Sequence, residues 1–301
     1  MKVGVVLPIA QEDDAPAPPS YPEIRAVAHA AEASDLDSVW VFDHLLFRSE
    51  GKTTGIHEAW TVLAAIAEAT GRVQLGTVVM CTAFRNPALL AKMAATLDHV
   101  SDGRLILGIG CGWHDPEYDA FGYPTDHKVG RFEEALTVIR GLVREGRADL
   151  DGRWVKATDA VLLPPARPDL PILIAAKRPR MMGLTARHAD AWNAAWFGTP
   201  DERWATLRGA LKAACVAAGR DPATLERTVG LTVRYPDLVA ASPGVSEPAP
   251  RGAALTGSVD DIAAGLRAYA DEGTGHAIAS LDPATPEAVG RFAAAVRRSR
   301  E

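Results

Sequence analysis

The feature that most constrains this chain is an alternation running its whole length. A short apolar, β-branched run is followed by a longer stretch with apolar residues at helical spacing, eight times over. The short runs are VGVVLPI (3–9), SVWVF (38–42), VQLGTVVM (73–80), RLILGIG (104–110), PILIAA (171–176), DAWNAAW (190–196), ERTVGLTVRY (226–235) and HAIASL (276–281). Helical patterns follow at 23–34, 57–70, 87–100, 129–145, 179–188, 200–218, 259–272 and 285–298, with Pro87 suited to a first helical position. Runs this continuously apolar belong to strands buried on both faces, as in a parallel sheet covered by helices. A doubly wound sheet rarely needs eight such units, whereas a (β/α)8 barrel needs that number. The expected fold is therefore α/β, a single (β/α)8 TIM barrel spanning residues 1–301.

Two stretches interrupt the rhythm. DLDGRWVKATDAVLLPP (149–165), after the fourth helix, reads as an inserted hairpin or irregular excursion. PDLVAASPGVSEPAPRGAALT (236–256), after the seventh strand, is rich in Pro, Gly, Ser and Ala and has no period. Loops of that length are lids or disordered segments, and this one falls on the face where barrel active sites lie.

Bulk properties exclude several function classes. The 301 residues are 48% hydrophobic and 23% charged, an ordinary soluble composition. A net charge of −6 without a long basic run gives no nucleic-acid footprint. No stretch reaches the roughly 18 apolar residues a bilayer span requires. Cys81, Cys111 and Cys215 are odd in number and widely spaced, which argues against a disulfide framework or zinc site and fits a reducing cytosol. MKVGVVLPIAQEDD reads as a first buried strand, not a signal peptide, so the expected location is cytoplasmic. The histidines lack metal-ligand spacing, and no metal is expected. Neither a G-x-S-x-G elbow nor a cysteine at a helix start offers a covalent nucleophile.

Barrel chemistry sits at the C-terminal ends of strands, and three of these ends carry distinctive residues. Asp43-His44 closes the second run, where a carboxylate beside an imidazole could orient a general acid/base; the pair could equally cap a loop and a helix. Ala175-Ala176-Lys177-Arg178-Pro179-Arg180 joins the fifth run to a helix start, whose free N–H groups with three cations would hold a phosphate; the alternative is a solvated basic turn. At RLILGIGCGWHDPEY (104–118) the glycines are spaced G-x-G-x-G, which is no dinucleotide fingerprint. Gly108, Gly110 and Gly112 read instead as a strand end bared for something flat. Trp113 would be either a wall for a planar ring or part of the core, with His114, Asp115 or Glu117 reaching polar edges. Trp40 and Trp60 fall inside periodic elements and read as core, and Glu133-Glu134 as surface or helix contact.

With these motifs in hand, DLDSVWVFDHL, RVQLGTVVMCTAFRNPALLAKMAATLDHVSDGRLILGIGCGWHDPEYDAFG and LTARHADAWN together resemble the luciferase-like monooxygenase superfamily, in order and over nearly the whole chain. That resemblance implies a (β/α)8 barrel using coenzyme F420 or FMN. Asp43-His44 and FRNP (84–87) are similar to F420-dependent members, in which the histidine handles a proton near the ring. The resemblance further implies a non-proline cis peptide at Val78-Val79 pressing the ring face, a cofactor floor from Gly110 and Gly112 to Trp113 and His114, and a phosphate loop at Ala175, Ala176, Lys177 and Arg178. Two departures stand out: AAKRPR replaces the glycine-rich turn of many relatives, and His114 stands where relatives often have Asn.

The implied activity is F420-dependent hydride transfer between the deazaflavin C5 and a small organic substrate. His44 would exchange the substrate proton, and Asp43 or a backbone group would fix its tautomer. The alternatives are an FMN-dependent two-component monooxygenase using reduced flavin and O2, and a cofactor-free binding barrel. Relatives are commonly dimers, so a homodimer is expected.

Overall fold

The structure, a computed structural model, describes residues 1–12, 15–49, 51–240 and 253–301. The apolar runs form β1 (Lys2–Val6), β2 (Ser38–Val41), β3 (Gln74–Thr77), β4 (Leu105–Gly110), β5 (Ile172–Ala175), β6 (Ala191–Phe197), β7 (Glu226–Arg234) and β8 (His276–Asp282). Each strand pairs in parallel with its neighbour in sequence, and β8 pairs with β1 through Lys2↔His276 to Val5↔Ala279, which closes the ring. The helices facing it are α1 (Tyr21–Ala33), α2 (Ala59–Ala69), α3 (Pro87–Val100), α4 (Lys128–Arg140), α5 (Pro179–His188), α6 (Glu202–Ala217), α7 (Val259–Asp271) and α8 (Pro286–Ser299). The expected (β/α)8 barrel is the observed one.

Local chemistry sets the helix starts. Asn86 accepts from the N–H groups of Ala88 and Leu89, so Pro87 opens α3 where its missing N–H costs nothing. Ser258 and Asp261 form a reciprocal capping box on α7.

The core has two shells. Outward-facing strand residues meet the helices, while Val6, Trp40, Ile106, Leu173, Ala191 and Ile278 fill the barrel interior. Trp40 lies flat against β3: a Cβ on Gly76 would stand 2.1 Å from its ring. Its indole N–H donates to Ser38 Oγ at 2.7 Å, and Ser38 Oγ bonds His276 Nε2 at 2.7 Å. Burial, reinforced by Lys2, pushes the His276 imidazole down to about 3, so it sits in the barrel as a neutral ring.

The structure departs from the sequence pattern near the mouth. The third run does not continue to Met80: β3 ends at Thr77, the Val78–Val79 peptide is cis, and Met80–Cys81 rejoins β4 through Met80↔Ile109 and Cys81↔Gly110. After β2 comes an antiparallel hairpin, Leu46–Ser49 with Lys52–Gly55, which no periodicity announced. A second hairpin, Arg147–Asp151 with Lys156–Val161, follows α4. Glu134 of α4 pins its turn by accepting from the N–H groups of Arg153, Trp154 and Val155. Pro236–Ala240 is helical and Leu255 bridges Val233, while residues 241–252 of the stretch where a lid is expected lie outside the described residues. No described helix is long and apolar enough to cross a membrane.

Candidate active site

His44 leaves the barrel rim one residue past Asp43, and the two side chains part company. Asp43 is buried; its carboxylate accepts from Arg85 Nη1 at 2.6 Å and Nη2 at 3.0 Å and from the Cys81 N–H at 2.9 Å. Arg85 also bridges to Glu58, the N-cap of α2. Burial pushes the Asp43 carboxyl up, opposed by Arg85 and the Cys81 N–H. Asp43 therefore ties the β2 end to the segment after the cis peptide. The expectation that it orients His44 is corrected, because both of its oxygens are occupied elsewhere.

The partner of His44 is Glu117. One carboxylate oxygen accepts from His44 Nδ1–H at 2.8 Å and the other from the Leu45 N–H at 2.8 Å. Glu117 side-chain exposure is 1% and that of His44 is 13%, so the pair is nearly dry. A proton held on Nδ1 leaves Nε2 with its lone pair. Around the imidazole stand Phe47 at 4.6 Å, Trp113 at 5.5 Å and Phe42 at 6.1 Å between ring centroids. Phe42, Val78 and Val79 rest on the interior barrel cluster and give the mouth an apolar floor.

Trp113 is 68% exposed, the freest large apolar side chain near this pair, and so is no core residue. His114 turns the other way: it is buried, and its Nε2 accepts from the Arg48 N–H at 3.0 Å, fastening the hairpin after β2. The glycines prove to be sites of close contact. A Cβ on Gly108 would stand 1.8 Å from the Thr77 carbonyl oxygen, and one on Gly110 2.6 Å from Val79 Cγ2. Gly112 has φ +72°, and its Cβ would fall 1.8 Å from Tyr118 OH. The strand end is thus bare because the neighbouring backbone, the Val79 side chain and Tyr118 occupy that space.

At the end of β5, which pairs with β4 through Ile174↔Ile109, Ala176 is buried and its carbonyl accepts from Trp192 Nε1 at 2.8 Å, while Ala175 is half-buried. The three cations that follow divide. Arg180 pairs with Glu133 at 2.6 Å, Arg178 is the exposed N-cap of α5, and Lys177 donates to the Ala195 carbonyl. Burial, then the Arg203 charge, pushes the Lys177 ammonium down. Arg203 itself donates to the Trp196 carbonyl at 2.9 Å and lies over the Phe197 ring. Ala195–Trp196 is a second non-proline cis peptide, and Gly230 across the sheet gives it room, since a Cβ there would stand 2.3 Å from Ala195 Cβ. Among the described residues no carboxylate pairs with Lys177. Lys177 and Arg203, with Arg178 at the α5 N-cap, form a cationic cradle that suits an anionic arm.

Residues 1–242 match the family model for luciferase-like monooxygenases. The chain belongs to that family. It is 36% identical over 230 residues to a phthiodiolone/phenolphthiodiolone dimycocerosates ketoreductase of Mycobacterium sp. (strain JLS), an alignment covering 69% of this chain and 60% of the relative. It is 32% identical over 210 residues to an F420-dependent glucose-6-phosphate dehydrogenase of Amycolatopsis mediterranei (strain U-32), covering 68% and 62%. The chain thus spans about three fifths of the length of these curated relatives. An F420-dependent secondary alcohol dehydrogenase in complex with an F420–acetone adduct superposes with a TM-score of 0.79 at 20% identity, over 100% of this chain and 99% of the other.

Within this luciferase-like barrel, Arg85 and Arg203 escaped the sequence reading, and Glu117 entered it only as one of three acids or bases near Trp113. Arg85 lies in the FRNP stretch (84–87), and Glu117 in the GCGWHDPEYDAFG block; no local pattern marks Arg203.

Proposed function

We propose that this chain is an F420-dependent oxidoreductase that interconverts an alcohol and a carbonyl compound. The observation carrying the reading is the dry His44–Glu117 pair beside the apolar floor of Phe42, Val78 and Val79. The ketoreductase and dehydrogenase relatives support the direction of the chemistry. A flat deazaflavin fits a floor of two valines and a phenylalanine, and its phosphate fits the cradle of Lys177, Arg178 and Arg203 at the start of α5.

Bound F420 supplies or accepts a hydride at C5. Glu117 fixes the His44 tautomer by holding a proton on Nδ1, so Nε2 can take the proton of a substrate hydroxyl or return it to a carbonyl oxygen. Trp113 forms a wall beside the imidazole, and the aromatic rings around it keep water from the proton path.

Titrating the chain with F420 and, separately, with FMN while following ligand fluorescence tests this. Micromolar saturation by F420 alone is the expected result. Saturation by FMN alone moves the chain to the flavin monooxygenase alternative, and saturation by neither leaves the cofactor-free barrel.

A further inference from the structure

A cavity lies where the C-terminal ends of α4 and α5 meet the second hairpin. About 320 Å³ in volume, it is bounded by the C-terminal turn of α4, the turn Gly141–Glu145, the strand Arg147–Asp151 and His188 in the last turn of α5. With a rise of 1.5 Å per residue, Arg140 at the end of α4 is about 18 Å along the helix axis from Lys128 at its start. His188 likewise lies at the far end of α5 from Arg178, and the lining includes neither His44 nor any residue of the phosphate cradle.

Its polar wall is Arg140. That half-buried guanidinium forms no ion pair among the described residues, and its Nε–H is buried without a hydrogen-bond partner. Among the described residues its one hydrogen bond runs from Nη1 to His188 Nδ1 at 3.3 Å, which makes His188 an acceptor and therefore neutral. Burial, then Arg140 and Arg187, pushes the His188 imidazole down, consistent with that state. Three neighbouring acids are engaged elsewhere, Glu133 with Arg180 at 2.6 Å, Asp190 with Arg144 at 2.5 Å and Asp159 with Arg147 at 3.1 Å, while Glu145 and Asp149 stand exposed in the lining. A partly desolvated cation with an unused N–H is costly unless an anion completes it.

The rest of the lining selects the anion. Leu136, Val138 and Leu150 supply apolar wall, and the exposed, water-screened acids Glu145 and Asp149 on the rim oppose an anion in proportion to its charge, so a singly charged guest is opposed less than a doubly charged one. We propose that this cavity binds a short-chain aliphatic carboxylate, its head on the Arg140 guanidinium and its alkyl tail against Leu136 and Leu150. A carboxylate accepts paired N–H donors in one plane, which matches the free edge of an arginine.

The test is thermal unfolding of the full chain with sodium butyrate, butyramide or inorganic phosphate at equal concentration, pH and ionic strength. Butyrate raises Tm by a few degrees, and butyramide and phosphate do not. Arg140→Met abolishes the butyrate shift without lowering the Tm of the unliganded chain, because it removes an unpaired cation. Leu150→Trp, which fills the tail end and keeps Arg140, also abolishes the shift and serves if Arg140→Met fails to fold. A butyrate shift that survives in either variant overturns the site. An equal shift with butyramide or phosphate overturns the carboxylate, and the absence of any butyrate shift overturns both.

Discussion

At His44 the decisive contact comes from 73 residues downstream, where the Glu117 carboxylate meets Nδ1. Glu117→Gln keeps the size and removes the charge, so the imidazolium loses a partner worth ~1.5–3 kcal/mol. Turnover with F420 and an alcohol should fall by about 10- to 100-fold while the cofactor Kd stays within about twofold. His44→Ala should lower kcat further, by about 10²–10⁴-fold, as for other general acid–base groups. Steady-state kinetics beside fluorescence binding separates the two effects; a Kd that moves as far as kcat would assign Glu117 a binding role instead. Asp43 shows why adjacency misleads: successive residues at a strand end point in different directions, and this carboxylate turned toward Arg85 and Cys81. His114 was visible as a departure from the relatives, yet only the position of Arg48 revealed that its Nε2 holds a hairpin.

Among the elements, β4 carries the strongest packing constraints. Gly108→Ala drives a methyl into the Thr77 carbonyl, a backbone atom that cannot swing aside. Overpacking of this kind costs about 3 kcal/mol or more, which a denaturant midpoint would register as a large loss of stability. Gly110→Ala meets only the tip of the Val79 side chain, so it should cost about 1 kcal/mol of stability. It would nonetheless shift Val79 in the mouth floor and weaken F420 binding by about tenfold, a difference the same fluorescence titration resolves. The anion cradle joins two elements, with Lys177 following β5 and Arg203 on α6. Removing both with alanine should raise the Kd for F420 by about 10- to 100-fold, the worth of one or two charge-assisted hydrogen bonds. An unchanged Kd would place the phosphate elsewhere. The glycine spacing was plain in the sequence, but the contacts behind it were not: a Cβ at Gly108, Gly110 or Gly112 would meet Thr77, Val79 or Tyr118.

For the whole molecule, the neutral His276 in the barrel interior links stability to pH. Its folded value near 3 lies below the 6.5 of an unperturbed histidine, so below pH 6.5 the unfolded chain binds a proton that the folded chain refuses. This stability is fully present above pH 6.5 and is lost as pH falls toward 3, by up to about 1.4 kcal/mol per pH unit. Urea midpoints measured from pH 7 to pH 4 should fall accordingly, with a shallower fall in His276→Gln. The eight-unit alternation and the buried strands were legible because burial on both faces forces continuous apolar runs, whatever the loops do. The resemblance likewise identified the strand ends that carry His44 and Lys177. What sequence determined was thus the barrel and the candidate rim positions. Which rim side chains meet was decided only by tertiary structure: Glu117 with His44, Asp43 with Arg85, and Lys177 beside Arg203. Closing the sheet brings together strand ends and loops far apart in sequence, and the direction of each side chain there depends on turns and close contacts that have no period to read.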